Sequence, residues 1–227
     1  MDFKKDFPML NSNYIYLDNG ATTFKPNSVI NAMNDYYTKY TANAHRGDYS
    51  LSYQVDTAFE QSRNKIAKFI NAEREEVIFT SGATESINIV ARGFFKNLLE
   101  PGDEILITKT EHASNILPWF KLAEEIGVVI KYIDLDDTYH ITVDNVRASI
   151  TPQTKLIALA SVTNVIGDER PIDEIVKLAH ANNIFVLVDG SQSVPHKKTD
   201  VKKSDVDFLV FSGHKMCGPT GIGILYG

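Results

Sequence analysis

The chain has 227 residues, of which 43% are hydrophobic and 23% charged, with 13 Gly and 8 Pro. At roughly 150 residues per domain this allows one large domain or one domain plus part of another, and the composition excludes disordered, fibrous and low-complexity chains. Lys and Arg number 23 against 29 Asp and Glu, a net charge of −6, so nothing draws the chain to nucleic acid in general. Cys217 is the only cysteine, which rules out an intramolecular disulfide and a multi-cysteine zinc site, leaves no metal expected, and suits a reducing, cytoplasmic location. No stretch has signal-peptide character and none reaches the run of about 18 apolar residues that a membrane span requires.

Residues 14–18 read as a short extended segment, and after Pro26 the stripe Val29, Ile30, Met33, Tyr36 and Tyr37 reads as a helix. A longer helical face follows in Val55, Ala58, Phe59, Ser62, Ile66, Phe69 and Ile70, spaced at three and four. From Glu76 onward short apolar runs alternate with helical patterns, the rhythm of parallel strands joined by helical crossovers. The strands are expected at 77–80, 104–108, 128–133, 156–160, 184–189, 208–211 and 222–226. Between them Ile87, Val90, Ala91 and Phe94 form one helical face, and Pro171 opens another helix with an acidic first turn, Asp173 and Glu174, continuing through Ile175, Leu178 and Ala179. Runs such as LIALA, IFVLV and FLVF lack alternation, as strands buried on both faces do. The fold class is therefore α/β, a mainly parallel sheet covered by helices. Its polar loops at 161–170 and 190–200 follow strands, where ligands collect in such sheets.

Three segments carry chemistry. Ser81-Gly82-Ala83-Thr84-Glu85 joins a strand to a helix, where free N–H groups can hold a phosphate; the same letters fit a plain helix start with Thr84 as N-cap. Asp189 ends an apolar strand, and a carboxylate there needs a cationic or hydrogen-bonding partner. A protonated pyridine nitrogen would serve, and an Asx-turn is the plainer role. Phe211-Ser212-Gly213-His214-Lys215 ends another apolar strand, and a lysine so placed can form a Schiff base with an aldehyde cofactor while Ser212 and His214 reach a phosphate. A lysine taken alone is more often a solvated surface residue. What favours the chemistry is that all three segments belong to one sheet.

The segments YLDNGATTFKP, ANAHRGDYSLS, SGATESIN, TEHASNILPW, SVTNVIG, VDGSQSVPH and FSGHKMCGPTGIGILYG, spread from Tyr16 to the end, resemble the group II cysteine desulfurases. These are class V aminotransferase-like enzymes of fold-type I that use pyridoxal 5'-phosphate, and the branch of SufS and selenocysteine lyase is the most similar. The resemblance implies that Lys215 is the Schiff-base and proton-moving lysine, Asp189 the carboxylate on the pyridine nitrogen, and Gln192 the group near the phenolic oxygen. It makes Ala83 and Thr84, with Ser212 and His214, the phosphate cradle. His112 becomes the imidazole stacked on the ring, a histidine that otherwise reads as a hydrogen-bonded loop residue, and Asn164 lies near the phenolic oxygen and the substrate carboxylate. Ala21, Asn43, His45 and Arg46 match segments at the mouth of such sites, although Arg46 also fits a salt-bridging surface residue.

In that family the persulfide-forming cysteine and the arginine that clamps the substrate carboxylate lie in a smaller C-terminal domain. This chain stops at Gly227, before either. The expected organisation is an N-terminal segment over 1–20 that would pack with the small domain, and a cofactor-binding large domain over 21–227. Cys217 reads as a small packing residue and not as the nucleophile. The implied activity is desulfuration of L-cysteine to L-alanine, with persulfide sulfur passed to an acceptor protein for iron–sulfur cluster assembly, in a homodimer. Selenocysteine lyase, or another enzyme of the class such as an epimerase or aminotransferase, fits the same residues; so does a catalytically silent cofactor-binding fragment.

Overall fold

A computed structural model describes residues 3–11 and 14–227. Two short 3-10 turns, Lys4–Asp6 and Pro8–Asn11, precede the helices α1 (Asn27–Lys39) and α2 (Ser50–Ile70). The alternating region then runs β1 (Val77–Thr80), α3 (Ala83–Ile89), a π-helical stretch (Val90–Phe95), α4 (Lys96–Leu98), β2 (Glu104–Ile107), α5 (Leu117–Ile126), β3 (Val129–Tyr132) and α6 (Val143–Ser149). It continues through β4 (Thr154–Ala160), α7 (Ile172–His180), β5 (Phe185–Asp189), α8 (Val201–Ser204), β6 (Phe208–Ser212) and β7 (Gly223–Tyr226). Each expected strand forms, to within two residues at either end.

The strands make one sheet in the order β1-β7-β6-β5-β4-β2-β3. Every pair from β6 to β3 is parallel, while β7 runs antiparallel to both β1 and β6. That reversal follows from length. Only residues 213–222 join β6 to β7, too few for the crossover of a dozen or more that a parallel return demands. The order of strand addition reverses between β4 and β2, since β3 is laid down outside β2 while β5 and β6 are added beyond β4 on the other side, and the crevice at such a switch point is where ligands bind.

The non-alternating strands are explained by two cores, one on each face. Ile157, Leu159, Val186, Val188, Leu209 and Phe211 pack against Ile70 of α2 and Ile175, Val176 and Ala179 of α7. Leu156, Ala158, Leu187 and Val210 face Ala83 and Ile87 of α3, Phe95, and Trp119 and Leu122 of α5. Successive residues therefore alternate between two apolar environments, and the sequence shows a continuous apolar run. Helix α1 forms as expected but buries none of its residues, and its Tyr36 packs edge-on against Tyr37 and Tyr40. Residues 14–18 form no strand, and Tyr14, Ile15 and Leu17 are exposed.

Candidate active site

The carboxyl ends of β4, β5 and β6 meet the start of α3 and the loop after β2 around a cavity of about 420 Å3, within the usual range for small-molecule sites. Its walls include Ala21, Ala83, Thr84, His112, Asn164, Asp189, Ser212, His214 and Lys215. An adjoining crevice adds Gln192. Most of the residues singled out from the sequence are thus brought to one place.

At one end the α3 start is drawn against β6, where the Ala83 N–H donates to Ser212 Oγ at 2.9 Å. Such close packing depends on Gly223, because a Cβ there would stand 2.4 Å from Gly82 Cα. Thr84 Oγ1 shares a hydrogen bond with Ser114 Oγ at 2.7 Å. Glu85 accepts from the Ser81 N–H at 2.5 Å, and that bond holds its carboxyl below the usual carboxylate range.

His112 caps the 3-10 turn Ala113–Asn115, its Nδ1 accepting the Ser114 N–H at 3.1 Å. Neutral imidazole with Nδ1 as acceptor carries its proton on Nε2. Across the cavity Asp189 is 5% exposed. Its Oδ1 accepts the Ser191 N–H at 2.9 Å, and Oδ2 takes no hydrogen bond among the described residues. A carboxylate so buried with one oxygen unpaired is suited to a cationic N–H partner.

The N-terminal segment completes the site in a way the sequence did not announce. Gln192 Nε2 donates to Gly20 O at 2.8 Å, and Asp18 and Gly20 join the cavity wall. The His214 carbonyl accepts from Thr23 N at 2.9 Å, Thr23 Oγ1 at 3.0 Å, Thr22 Oγ1 at 3.2 Å and Lys25 Nζ at 3.2 Å. The peptide between His214 and Lys215 is therefore clamped. Burial lowers the Lys25 pKa, although the nearby Cys217 works the other way. Burial, then the positive charges of Lys215 and Lys25, lowers that of His214, which favours its neutral form. Nothing in the sequence marks Thr22, Thr23, Lys25, Ser114 or Ser191 as site residues. Thr22, Thr23 and Lys25 meet His214 far away in sequence, and the short-range bonds of Ser114 to His112 and of Ser191 to Asp189 are those of any polar loop.

Asn43, His45 and Arg46 are not among the residues lining this cavity. The Asn43 carbonyl accepts from Ser52 Oγ at 3.1 Å, and the His45 N–H donates to Asp56 at 2.5 Å, both on α2, while Arg46 is exposed. Cys217 does not line it either; its N–H donates to Thr23 Oγ1 at 2.7 Å. A larger cavity of about 530 Å3 opens between α7, α8 and the loop after β5, crossed by the Lys203–Asp173 ion pair at 3.2 Å. It contains neither Asp189 nor Lys215.

The family model described as aminotransferase class-V matches residues 15–227. A probable cysteine desulfurase of Halalkalibacterium halodurans is 45% identical, covering 100% of this chain and 57% of the relative. One from Synechocystis is 44% identical over 99% of this chain and 55% of the relative. Among solved structures, the apo cysteine desulfurase from Thermococcus onnurineus superposes with a TM-score of 0.94 at 41% identity, covering 99% of this chain and 56% of that one. A structure described as SspA in complex with cysteine gives 0.86 at 32% identity, covering 94% and 61%. The chain spans about half the length of the curated relatives it matches.

Proposed function

Because the chain belongs to the class V aminotransferase family, we propose that it is the pyridoxal 5'-phosphate-binding part of a cysteine desulfurase, with the large domain over 21–227 and an N-terminal segment over 1–20. The observation that carries this reading is the convergence on one cavity of Lys215, the half-paired carboxylate of Asp189 and the α3 start tied to Ser212. Those groups fit the cofactor's three functions, an aldehyde, a basic ring nitrogen and a phosphate. When bound, pyridoxal phosphate supplies an aldehyde that captures amines and a ring that withdraws electrons from a substrate's α-carbon.

The chain's own residues then divide the work. Asp189 Oδ2 holds a proton on the ring nitrogen, and the Ala83 and Thr84 end of α3, with Ser212 and His214, takes the phosphate. A neutral His214 accepts or donates there without adding a fixed charge. His112, turned by its Nδ1 bond to Ser114, presents its ring to the cavity, and Gln192 and Asn164 address the phenolic oxygen. Lys215 Nζ removes and returns the proton at the substrate α-carbon. The net reaction moves sulfur from L-cysteine to a thiolate, giving L-alanine and a persulfide. The support for L-cysteine is what the relatives are described as doing. The wider role, a cytoplasmic homodimer passing sulfur to an acceptor protein for iron–sulfur assembly, rests on the resemblance, as does a substrate part for Ala21, Asn43, His45 and Arg46.

The test is an absorption spectrum of the purified chain with added pyridoxal phosphate, before and after L-cysteine. A visible band that appears in the wild type, is lost in Lys215→Ala and changes on adding cysteine is the expected result. A folded wild-type chain that remains colourless, or a band indifferent to Lys215→Ala, overturns the assignment.

A further inference from the structure

Glu111 and Arg170 lie 59 positions apart in the chain and form an ion pair in which both side chains are fully buried. Neither lines the cavity. Arg170 Nη1 donates to Glu111 Oε1 and to the Ala160 carbonyl at 3.1 Å, while Nη2 donates to Thr108 Oγ1 at 2.9 Å and Thr110 Oγ1 at 2.7 Å. Glu111 Oε2 accepts from the Ala160 N–H at 2.7 Å and from Asn115 Nδ2 at 2.9 Å. Asn115 in turn accepts from Trp119 Nε1 at 3.1 Å. The main-chain N–H of Arg170 closes its loop by donating to Ser161 O at 3.0 Å.

Apart from the Trp119 bond from α5, these bonds end on two loops or the strands that launch them. Thr108 to Asn115 follow β2 and carry His112; Ser161 to Arg170 follow β4 and carry Asn164. These are the neighbouring strands between which the order of strand addition reverses. A buried ion pair is weak support for stability, since apolar replacements of similar volume often do as well. What it offers here is direction, because a guanidinium fork and a carboxylate fix several partners in one geometry. Asp168 adds a second carboxylate 3.7 Å from Arg170 Nε, and that carboxylate also meets His140.

We propose that Glu111 and Arg170 are a positioning pair that locks the loop bearing His112 to the loop bearing Asn164, so that both side chains face the cofactor cavity. The positioning of the cofactor by these loops rests on the function proposed above, whereas the locking of the two loops does not. The roles of His112 and Asn164 concern contact with ligand; the pair acts through them.

The experiment compares wild type with Glu111→Gln, Arg170→Gln and the double variant. Glutamine at 111 retains an acceptor for Ala160 and Asn115, and the double variant removes both charges of the pair together and leaves Asp168 its contact with His140, so it covers the case in which a single variant fails to fold. Hydrogen exchange of the cofactor-free chains is read first. Residues 108–116 and 161–170 should exchange together at least tenfold faster in the double variant, with α2 and β7 unchanged. Wild-type exchange in either loop, or uniform loosening of the whole chain, overturns the proposal. Pyridoxal phosphate titration is read second. The expected result is at least tenfold weaker binding with a diminished visible circular dichroism signal, no worse in the double variant than in the singles, because the pair acts as one unit. Wild-type affinity and dichroism in the double variant overturn the cofactor-positioning part. A wild-type chain that gives no visible band defeats the proposed function, and the exchange data then decide the loop lock by themselves.

Discussion

A Cβ at position 223 would meet the Gly82 backbone at 2.4 Å, with Gly82 C and N almost as near. Backbone atoms on both sides cannot yield as the tip of a side chain can, so Gly223→Ala must push β7 from the start of α3. Overpacking of this kind costs about 1–3 kcal/mol. The expected outcome is a lower urea midpoint with weaker pyridoxal phosphate binding, because the displaced segment carries Ala83 and Thr84. A variant with wild-type midpoint and affinity would show that the strand and helix start are not in contact. Cys217 is predicted to behave oppositely. It is half-buried, adopts φ +65° and does not line the cavity, so Cys217→Ser should leave the cofactor band and its response to L-cysteine unchanged in the same spectroscopic assay. Loss of that response would bring the thiol into the reaction.

Helix α7 ends at His180, whose Nε2 lies 3.0 Å from Asp207 and Nδ1 3.2 Å from Asp205. Burial opposes the imidazolium, but the Asp207 hydrogen bond and the charges of Asp207 and Asp205 outweigh it and raise the pKa. A histidine with a raised folded-state pKa contributes stability in full below its unfolded value of about 6.5, and that contribution disappears as pH rises through the folded value. His180→Asn should therefore lower the urea midpoint clearly at a pH of about 5.5 and much less at about 9; equal losses at the two would mean the histidine acts by packing. The tie was invisible in the sequence, although α7 itself was legible from Pro171, the acidic first turn and the apolar positions Ile175 and Ala179. The strands were legible for a related reason, since residues facing two cores must be apolar in succession. The direction of β7 was not evident from its own letters, which look like those of any buried strand. It becomes derivable only when the shortness of 213–222 is compared with what a crossover needs.

At the scale of the molecule, the site is assembled from six stretches of chain: residues 18–25, the α3 start, the loops after β2 and β4, and the ends of β5 and β6. Asp189 and Lys215 could be found in the sequence because a charge at the end of an apolar strand stands out. Glu111 and Arg170 could not, because charged residues in loops ordinarily read as solvated and nothing local says that two such residues are buried together. The dispersal has a thermodynamic consequence. A ligand touching all six stretches binds the folded chain and not the unfolded one, so it stabilises the whole by about 2.7 kcal/mol at a hundredfold excess over its dissociation constant. For a chain of this size that corresponds to a rise in melting temperature of about 5–10 °C. Lys215→Ala should keep part of that rise while losing the visible band, because the proposed contacts of Asp189 with the ring and of Ser212, Thr84 and His214 with the phosphate do not depend on the lysine. A thermal melt with and without pyridoxal phosphate checks both statements. A wild-type chain that colours without any rise would mean that the cofactor reacts with an amine at the surface and never enters the cavity, since capture there draws the six stretches together.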